Sequence, residues 1–417
     1  TANGGTVSLV VDFKVNPDVP SGTKLVNSGS GTINTQTVQT PDAQIVTFTQ
    51  TPSKHWVEGS QVVDGKTYIN NDIVTTQVDM NLPDPKQLAK TLSYVSIGDN
   101  YRDFADKTVL QSYKVFENNT DVTSQYNITN QSGILQAVRK NAATTPGGKV
   151  SLIATFAINH DVKSGTKLTN RGFGRINNHT VDTNTPQIVT FKQDTSKHWV
   201  EGSQVVDDKT YINEDMVHGQ VTMTLPNKDS LAKALTDVTL VDDYSDYANK
   251  VSYVNAQVFE NNTDVTSQYN ITNTGNKITA TRKNPGATPS GSVRLVANFK
   301  LNSNLPSGTK LINRGSGRIN NNTVNTNEAK ILTYVQSTDK HWVEGSQKVD
   351  GKTYIDGDTI HGQVTMSLPD KNTLAKALST VQVIDDYSKF AKMVDYKSAQ
   401  VLENGKDVTS EYNISNA

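Results

Sequence analysis

Residues 53–70 read SKHWVEGSQVVDGKTYIN, and residues 196–213 repeat this stretch almost unchanged as SKHWVEGSQVVDDKTYIN. A looser copy begins at Asp339, again 143 residues further along, and two other blocks recur in the same register. A period of 143 residues is far longer than the roughly 20–50 residues of a solenoid unit. Each repeat is therefore predicted to be a domain with its own core, and the domains to be joined in tandem.

The register of these repeats predicts the domain boundaries. Complete modules are expected at 51–193 and 194–336. Residues 1–50 match the end of a repeat, and residues 337–417 match a beginning, so the sequence is expected to be a piece of a longer array. We expect unpaired strands and poor order in these two part-modules unless they complement one another.

The apolar pattern within a module is typical of β-strands. Residues 149–158 alternate apolar with smaller or more polar side chains, and residues 293–301 repeat the alternation. A short helix is predicted where Asp229 can cap a run in which Leu231 and Leu235 are four residues apart. Short strands with Gly, Asn and Asp turns predict an all-β fold of antiparallel two-sheet sandwiches, with one or two short helices each.

Composition excludes several classes of function. With 40 Lys and Arg residues against 41 Asp and Glu residues, the chain offers no basic surface for nucleic acid. It has no apolar run long enough to span a membrane and no signal peptide at its start, so any export or anchoring signal is expected to lie elsewhere. It has no cysteine, and only 34% of its residues are hydrophobic. Something other than a disulfide must stabilise this thin core.

One constellation of residues recurs with fixed spacing and has a chemical use. In the first complete module Asp99 follows Lys54 by 45 residues, and Asn184 follows Lys54 by 130. The equivalent residues elsewhere are Lys197, Asp242, Asn327, Lys340 and Asp385. These are the parts for an amide between the Lys amine and the Asn carboxamide, formed once with loss of ammonia. Burial would lower the pKa of the Lys and raise that of the Asp, which could then polarise the carboxamide and shuttle protons.

Alternatives to this constellation remain open. Near-identical duplication would carry any residue along, so recurrence alone does not establish the amide. Asn177 and Asn320 are rival acceptors. In the first part-module Pro41 stands where the acceptor should be, so that copy either uses Asn34 or has no cross-link.

Metal ions and cofactors have little support in the sequence. His55, His198 and His341 precede the repeated Trp, where packing or hydrogen bonding is the expected role. Asp242, Asp243 and Asp246 could supply oxygen ligands to calcium, although the third copy replaces the last with Lys389. A capping or turn role is the simpler interpretation, and no cofactor is expected.

Five motifs carry a family resemblance. These are the KHWV opening, the GKTYI strand, the segment LVDDY at 240–244, the strand DVTSQYNIT and the closing GRINNHTVDTNTP. In this order they resemble the C-terminal adherence domains of the antigen I/II adhesins of Gram-positive cocci, and related repeats occur in surface proteins of lactobacilli. The resemblance covers essentially the whole sequence.

The resemblance implies an immunoglobulin-like variant fold (DEv-IgG-like) and intramolecular Lys–Asn isopeptide bonds assisted by an Asp. By this resemblance, a Lys near the start of the module would be bonded to the Asn of the closing Thr-Asn dipeptide. The Asp of the DDY segment would assist the formation of this bond. Several choices stay open. Lys66 and Lys209 are alternatives to Lys54 and Lys197 as the reacting lysines. Asp243 and Asp386 are alternatives to the preceding Asp242 and Asp385 as the assisting acid, and the first copy has Asn100 in place of this second acid.

These inferences predict a structural protein, a stalk or adherence segment of an extracellular adhesin whose attachment to the cell wall lies outside this sequence. Its expected partners are a host or bacterial surface receptor, a glycoprotein or a glycan, and it is not expected to be an enzyme. One rival is a glycan- or protein-binding module that uses exposed Trp56, Tyr101 and Phe173. The other is an extracellular hydrolase with two facing carboxylates in a cleft.

Overall fold

The computed structural model of the protein describes residues 4–416. Its regular structure is β-strand with short 3-10 turns, and the predicted all-β fold class of tandem immunoglobulin-like sandwich modules is confirmed. No helix in the described residues is both long and apolar enough to cross a membrane.

The first complete repeat contains fourteen strands: β5 Ser53–Glu58, β6 Gln61–Val62, β7 Thr67–Ile69, β8 Ile73–Leu82, β9 Val95–Asn100, β10 Thr108–Glu117, β11 Thr120–Asp121, β12 Tyr126–Gln131, β13 Ile134–Arg139, β14 Gly148–Ile158, β15 Lys167–Thr169, β16 Arg171–Ile176, β17 His179–Asp182 and β18 Gln187–Phe191. Its 3-10 turns are Pro85–Gln87, Arg102–Phe104, Thr123–Gln125 and Ala142–Thr144.

The second complete repeat contains β19 Thr195–Glu201, β20 Gln204–Val205, β21 Thr210–Ile212, β22 Met216–Leu225, β23 Val238–Asp243, β24 Val251–Glu260, β25 Thr263–Asp264, β26 Tyr269–Thr274, β27 Lys277–Arg282, β28 Gly291–Leu301, β29 Lys310–Ile319, β30 Asn322–Asn325 and β31 Ala329–Tyr334. Its 3-10 turns are Lys228–Ser230, Ser245–Lys250, Thr266–Gln268 and Pro285–Ala287.

The terminal stretches hold fewer strands. Before the first repeat lie β1 Lys24–Asn27, β2 Ser30–Ile33, β3 Gln36–Gln39 and β4 Ala43–Val46. After the second lie β32 Thr338–Glu344, β33 Gln347–Lys348, β34 His361–Met366, β35 Leu402–Glu403 and β36 Lys406–Asp407, with 3-10 turns at Ala391–Met393 and Thr409–Glu411.

Each complete repeat is a sandwich of two antiparallel sheets. In the first, a six-stranded sheet of order β11-β10-β14-β8-β5-β6 packs on a five-stranded sheet of order β12-β13-β9-β16-β17. A small sheet, β15-β18-β7, closes one end, and its β18–β7 pair is parallel. The second repeat has the same strand neighbours, with β29 spanning the positions of both β15 and β16.

The core lies between the two sheets and follows the alternation read from the sequence. In β14, the side chains of Val150, Leu152, Ala154, Phe156 and Ile158 are all buried, while their neighbours along most of the strand are less so. Successive side chains on a strand point to opposite faces, so this single alternating run places one face in the core. Aromatic rings fill the centre, and the indole of Trp56 packs against Phe104.

The predicted helix near Asp229 is shorter than expected. The structure has a 3-10 turn at Lys228–Ser230, after which Leu231 leaves the helical path and forms a parallel β-bridge with Thr67 of the preceding repeat. The amide of Ala232 also donates to the carbonyl of Thr67, at 2.9 Å. The Ala232 amide, which a longer helix would need for its own hydrogen bonds, is thus bonded to a neighbouring domain. Tertiary context overrides the local helix preference.

The two terminal stretches expose side chains that are buried in complete repeats. Val7, Leu9 and Phe13 stand 143 residues before members of β14, yet they are exposed and their segment forms no strand. The domain boundaries read from the repeat register remain predictions.

Candidate cross-linking site

A lysine and an aspartate meet in the interior of the first complete repeat. Lys54 lies on β5 of the six-stranded sheet, and Asp99 lies on β9 of the opposite sheet. Both side chains have 0% exposure, and Lys54 Nζ donates to Asp99 Oδ2 at 2.5 Å. This ion pair therefore crosses the core from one sheet to the other.

Strand periodicity explains why Lys54 points inward. Lys54 and Trp56 are two residues apart on β5, so they share the face that looks into the core. The sequence thus places a charged amine directly beside the largest aromatic side chain of the module. Such a placement is costly unless the charge is paired or removed.

The same arrangement recurs in the later copies. Lys197 Nζ donates to Asp242 Oδ2 at 2.5 Å, again with both side chains at 0% exposure. Lys340 and Asp385 also form an ion pair, but their side chains are 44% and 43% exposed because fewer strands cover them. The structure therefore brings together all three predicted Lys–Asp pairs, two of them in a closed core.

Burial shifts the pKa values of the two buried lysines and of Asp242 in the directions that favour their neutral forms. Desolvation lowers the pKa of Lys54 and of Lys197, although the nearby carboxylates act in the opposite direction. Desolvation also raises the pKa of Asp242, against the effect of Lys197. One proton transfer along the 2.5 Å hydrogen bond converts the ion pair into a neutral amine and a neutral carboxylic acid.

The structure does not bring the predicted acceptors to the lysine amines. The carboxamide of Asn184 pairs with the main chain of Lys54: its Oδ1 accepts from the Lys54 amide at 2.7 Å, and its Nδ2 donates to the Lys54 carbonyl at 2.8 Å. Asn327 makes the same two bonds to Lys197, both at 2.9 Å. These residues hold the edge strand in place from the outside, whereas each lysine side chain points the other way, into the core.

A different asparagine reaches the cluster. Asn313 of β29 is fully buried, and its carboxamide forms no well-aligned hydrogen bond, although it lies close enough to Asp242 to act against the rise of that carboxyl's pKa. Its Nδ2 lies 2.6 Å from the point where a Cβ at Gly219 would stand, with Lys197 Nζ at 3.0 Å and Asp242 Oδ2 at 3.2 Å from the same point. The absence of a side chain at Gly219 leaves the three groups room to gather around one small space.

The first repeat has the equivalent asparagine, Asn170, between β15 and β16. It too is fully buried with both carboxamide atoms unpaired. The position of Gly219 is taken here by Thr76, whose hydroxyl donates to Asp99 Oδ2 at 2.6 Å. A buried carboxamide without a partner costs about 1–3 kcal/mol, so its recurrence in both closed cores calls for a chemical reason.

Sequence reasoning missed these asparagines although a signal was present. Leu168, Asn170 and Gly172 alternate with more exposed neighbours and are all buried. The alternation in K-L-x-N-x-G recurs in every copy, and in both complete modules it places the Asn on the inward face. A polar residue on an otherwise apolar or glycine face is the feature that distinguishes Asn170 from Asn184.

The other candidates considered from sequence lie away from the cluster. Lys66 Nζ donates to the carbonyl of Asp229, and the Asn177 side chain accepts from the amides of Ser93 and Tyr94. Lys209 Nζ donates to the carbonyl of Asn372, and the Asn320 side chain accepts from the amide of Thr236. Asp386 accepts from the amide of Ser388. Asn34 is an exposed turn residue with a positive φ.

The three aspartates considered for calcium face different partners. Asp242 pairs with Lys197 in the core, Asp243 with Lys277, and Asp246 with Arg314. Among the described residues no group of three or more His, Cys, Asp or Glu side chains is placed to hold a metal ion.

The repeated histidines organise a turn. His55 Nδ1 lies 2.8 Å from Asp64 Oδ2, and Asp64 Oδ1 accepts from the amide of Trp56 at 2.7 Å. His198 and Asp207 repeat this contact at 2.7 Å. The histidine thus shares its aspartate with the backbone of the neighbouring tryptophan.

The aromatic residues considered as a binding platform are mainly core residues. Trp56 and Trp199 are fully buried, and their indole nitrogens donate to main-chain carbonyls. Tyr101 is also buried. Phe173 is half-buried, and its ring lies directly over Gly98 on the adjacent strand. These four rings do not form an exposed stacking surface.

The hydrolase alternative needs two facing carboxylates in a cleft. A cleft of about 320 Å³ lies beside Lys340 and is lined by Asp339, Asp385 and Asp386. Asp385 is paired with Lys340 and Asp339 with His341, at 2.6 Å in the second case. Two of these three carboxylates are thus paired with basic side chains, and Asp386 accepts from the amide of Ser388.

Comparison with known proteins identifies a family and a similar fold. Residues 191–330 and 335–417 match the family described as cell surface antigen I/II C2 terminal domain. The fold is similar to the C-terminal domain of the Streptococcus pyogenes antigen I/II-family protein AspA, with a TM-score of 0.56 and 17% identity over 68% of this chain and 99% of that one. It is also similar to the C-terminal domain of the Streptococcus agalactiae antigen I/II polypeptide BspA, with a TM-score of 0.55 and 13% identity over 68% and 100% of the chains.

No curated protein sequence matches the chain. The family match covers more than half of the residues, and it confirms the resemblance read from the motifs. The chain therefore belongs to the cell surface antigen I/II C2 terminal domain family, a family of surface adhesin domains.

Proposed function

We propose that the chain is a stalk or adherence segment of a surface adhesin in which each complete module closes one internal Lys–Asn amide. The proposed bonds join Lys54 to Asn170 and Lys197 to Asn313, with Asp99 and Asp242 as the assisting acids. The observation that carries this proposal is the fully buried cluster of amine, carboxyl and carboxamide beside Gly219 in the second module. The first module has the equivalent buried Lys–Asp pair, and its equivalent asparagine, Asn170, is likewise buried without a partner.

The reaction needs no group beyond this cluster. The neutral Nζ of Lys197 attacks Cγ of Asn313, while the protonated Asp242 donates a hydrogen bond to the carboxamide oxygen. Asp242 then delivers its proton to Nδ2, so that the Cγ–Nδ2 bond breaks and ammonia leaves, and the resulting carboxylate takes a proton from Nζ, which leaves a neutral Cγ–Nζ amide. Asp242 ends in the state in which it began, and each module reacts once.

The bond would remove the two costs that the fold otherwise carries. An amide nitrogen has no charge, so the buried lysine no longer needs a counter-ion. The carboxamide that lacks a partner becomes part of the new bond. The closed loop exceeds a hundred residues, which by the loop-entropy model contributes about 5 kcal/mol to the free energy of unfolding. In this way a module with few hydrophobic residues and no disulfide gains a covalent cross-link.

The positions of the two bonded residues along the chain favour a role in resisting mechanical force. β5 begins the first module and carries the lysine, whereas the acceptor asparagine lies just before (Asn170) or within (Asn313) the first strand of the module's last hairpin. A force applied through successive modules could therefore pull out only the strands that follow the asparagine, and the amide would then stop the rest of the module from unfolding. We propose attachment to the cell wall through a region beyond this sequence, and binding to a host or bacterial surface receptor, a glycoprotein or a glycan.

A first prediction concerns proteolysis. The wild-type chain is expected to resist trypsin across its two complete modules, and the double substitution Asp99→Ala plus Asp242→Ala to be digested much faster. Without the acid no amide forms, and each core keeps a buried lysine without its counter-ion, so local opening becomes more frequent. Gel electrophoresis over a time course measures the rate. Equal digestion of the two proteins would contradict the stabilising role.

A further inference from the structure

The connection between the two complete modules is short and fastened. β18 ends at Phe191 and β19 begins at Thr195, which leaves three residues between the last strand of one module and the first strand of the next. The middle one, Gln193, is buried, and its Nε2 donates to the carbonyl of Gly317 at 2.7 Å. The linker therefore belongs to the core of the following module and is not a free hinge.

The backbone of the following module extends the small sheet of the preceding one. Leu231 forms a parallel bridge with Thr67 of β7, and the Ala232 amide donates to the Thr67 carbonyl at 2.9 Å. At the next junction Leu374 and Ala375 make the same contacts with Thr210, again with a 2.9 Å hydrogen bond. Two separate junctions thus share one docking geometry.

Apolar packing reinforces this backbone contact. Ile69, at the end of β7 in the first module, is buried in the hydrophobic core cluster of the second. Ala232 of the second module packs against the core cluster of the first. Each module therefore places a side chain into its neighbour, so relative rotation would expose apolar surface.

One lysine of the following module enters a notch on the preceding module. Lys233 Nζ donates to the carbonyl of Ile73 at 3.0 Å and lies 5.6 Å from the ring centroid of Tyr68. It also lies 3.8 Å from Glu58 Oε2, which accepts from the Tyr68 hydroxyl at 3.0 Å. A carbonyl, an aromatic face and a carboxylate are together the groups that bind an ammonium ion.

The second junction repeats the notch with its own residues. Lys376 Nζ donates to the carbonyl of Met216 at 2.8 Å, lies 3.4 Å from Glu201 Oε2 and is 5.5 Å from the ring centroid of Tyr211. Lys233 and Lys376 are 143 residues apart, so they are the same residue of the repeat. In the first module this residue is Lys90, which is exposed.

We infer that this lysine is a latch that holds consecutive modules in one fixed orientation, so that the array behaves as a stiff rod. The partner surface of each module is the notch formed by the glutamate, the tyrosine and the strand carbonyl of the module before it. The latch acts between modules and does not depend on the amide inside them. Lys233 and Lys376 are positioning residues in this sense.

Distance measurement between two spin labels tests the latch directly. The chain has no cysteine, so Ser124→Cys and Ser267→Cys, both at exposed equivalent positions of the two complete modules, place one label on each. The parent is expected to give a single narrow distance distribution by pulsed electron resonance. Lys233→Met is expected to broaden it by about twofold or more, because modules without a firm interface move relative to one another.

Two further variants complete the test. Glu58→Gln, which removes only the charge of the notch, is expected to broaden the distribution less than Lys233→Met. Lys90→Met is the matched control, since it changes the same residue of the repeat at a site away from this junction, and it should leave the distribution unchanged. A broad parent distribution, an unchanged Lys233→Met distribution or equal broadening by Lys90→Met would each overturn the inference.

Discussion

When the chain is pulled from its two ends, the extension of each complete module is expected to come only from the residues that lie outside the loop closed by its amide. With Lys54 joined to Asn170, and Lys197 beginning the next loop, 26 residues between Asn170 and Lys197 remain free to extend. At about 3.5 Å per residue this is roughly 90 Å, against roughly 500 Å for a 143-residue repeat without the bond. The expected difference is more than fivefold.

Single-molecule force spectroscopy of the full chain measures these steps. The double variant Asp99→Ala plus Asp242→Ala is expected to show two long steps that are missing in the wild type. Asp243→Ala is the matched control, because Asp243 is the neighbouring acid but pairs with Lys277 away from the cluster. Long steps in the wild type, or in the control, would show that the modules are not braced in the proposed way.

The second large effect concerns which asparagine reacts. Asn313→Ala removes the proposed acceptor and is expected to lower the free energy of unfolding of the second module by about 5 kcal/mol, since the loop is no longer closed. Asn327→Ala removes two hydrogen bonds to the main chain of Lys197 and one to the carbonyl of Glu328, and it should cost about 3 kcal/mol. The two substitutions are chemically identical and 14 residues apart.

Urea unfolding followed by tryptophan fluorescence distinguishes the two variants. Replacing Trp56 and Trp342 by Phe in all proteins leaves Trp199 as the reporter of the second module, where it is fully buried. A larger loss of stability in Asn327→Ala than in Asn313→Ala would contradict the assignment of Asn313. It would support the pairing with Asn327 that the sequence spacing first suggested.

The fold was predictable from sequence because its signals are local and repeated. The alternation in residues 149–158 survives in β14, and the repeat register separates one sandwich from the next. The helix near Asp229 was not predictable in its true length. The Ala232 amide bonds to Thr67 of another module, and no local preference reveals a partner 165 residues away.

The site was predictable only in part. The constant offset of 45 residues singled out Lys54 and Asp99, which the structure places in contact. The same logic could not choose among the asparagines, because duplication keeps every offset constant. Asn184 bonds to the main chain of Lys54, whereas Asn170 lies on an inward face and is fully buried. That distinction depends on the position of the hairpin β16–β17, which spacing does not encode.

Intact mass spectrometry of the full chain tests the proposed brace most directly. Each amide expels one ammonia molecule, so the wild type is expected to weigh two ammonia molecules less than its sequence mass. Asn170→Ala and Asn313→Ala should each restore one of them, and a tryptic fragment should contain Lys197 joined to Asn313. A wild-type chain at its full sequence mass would contradict the account.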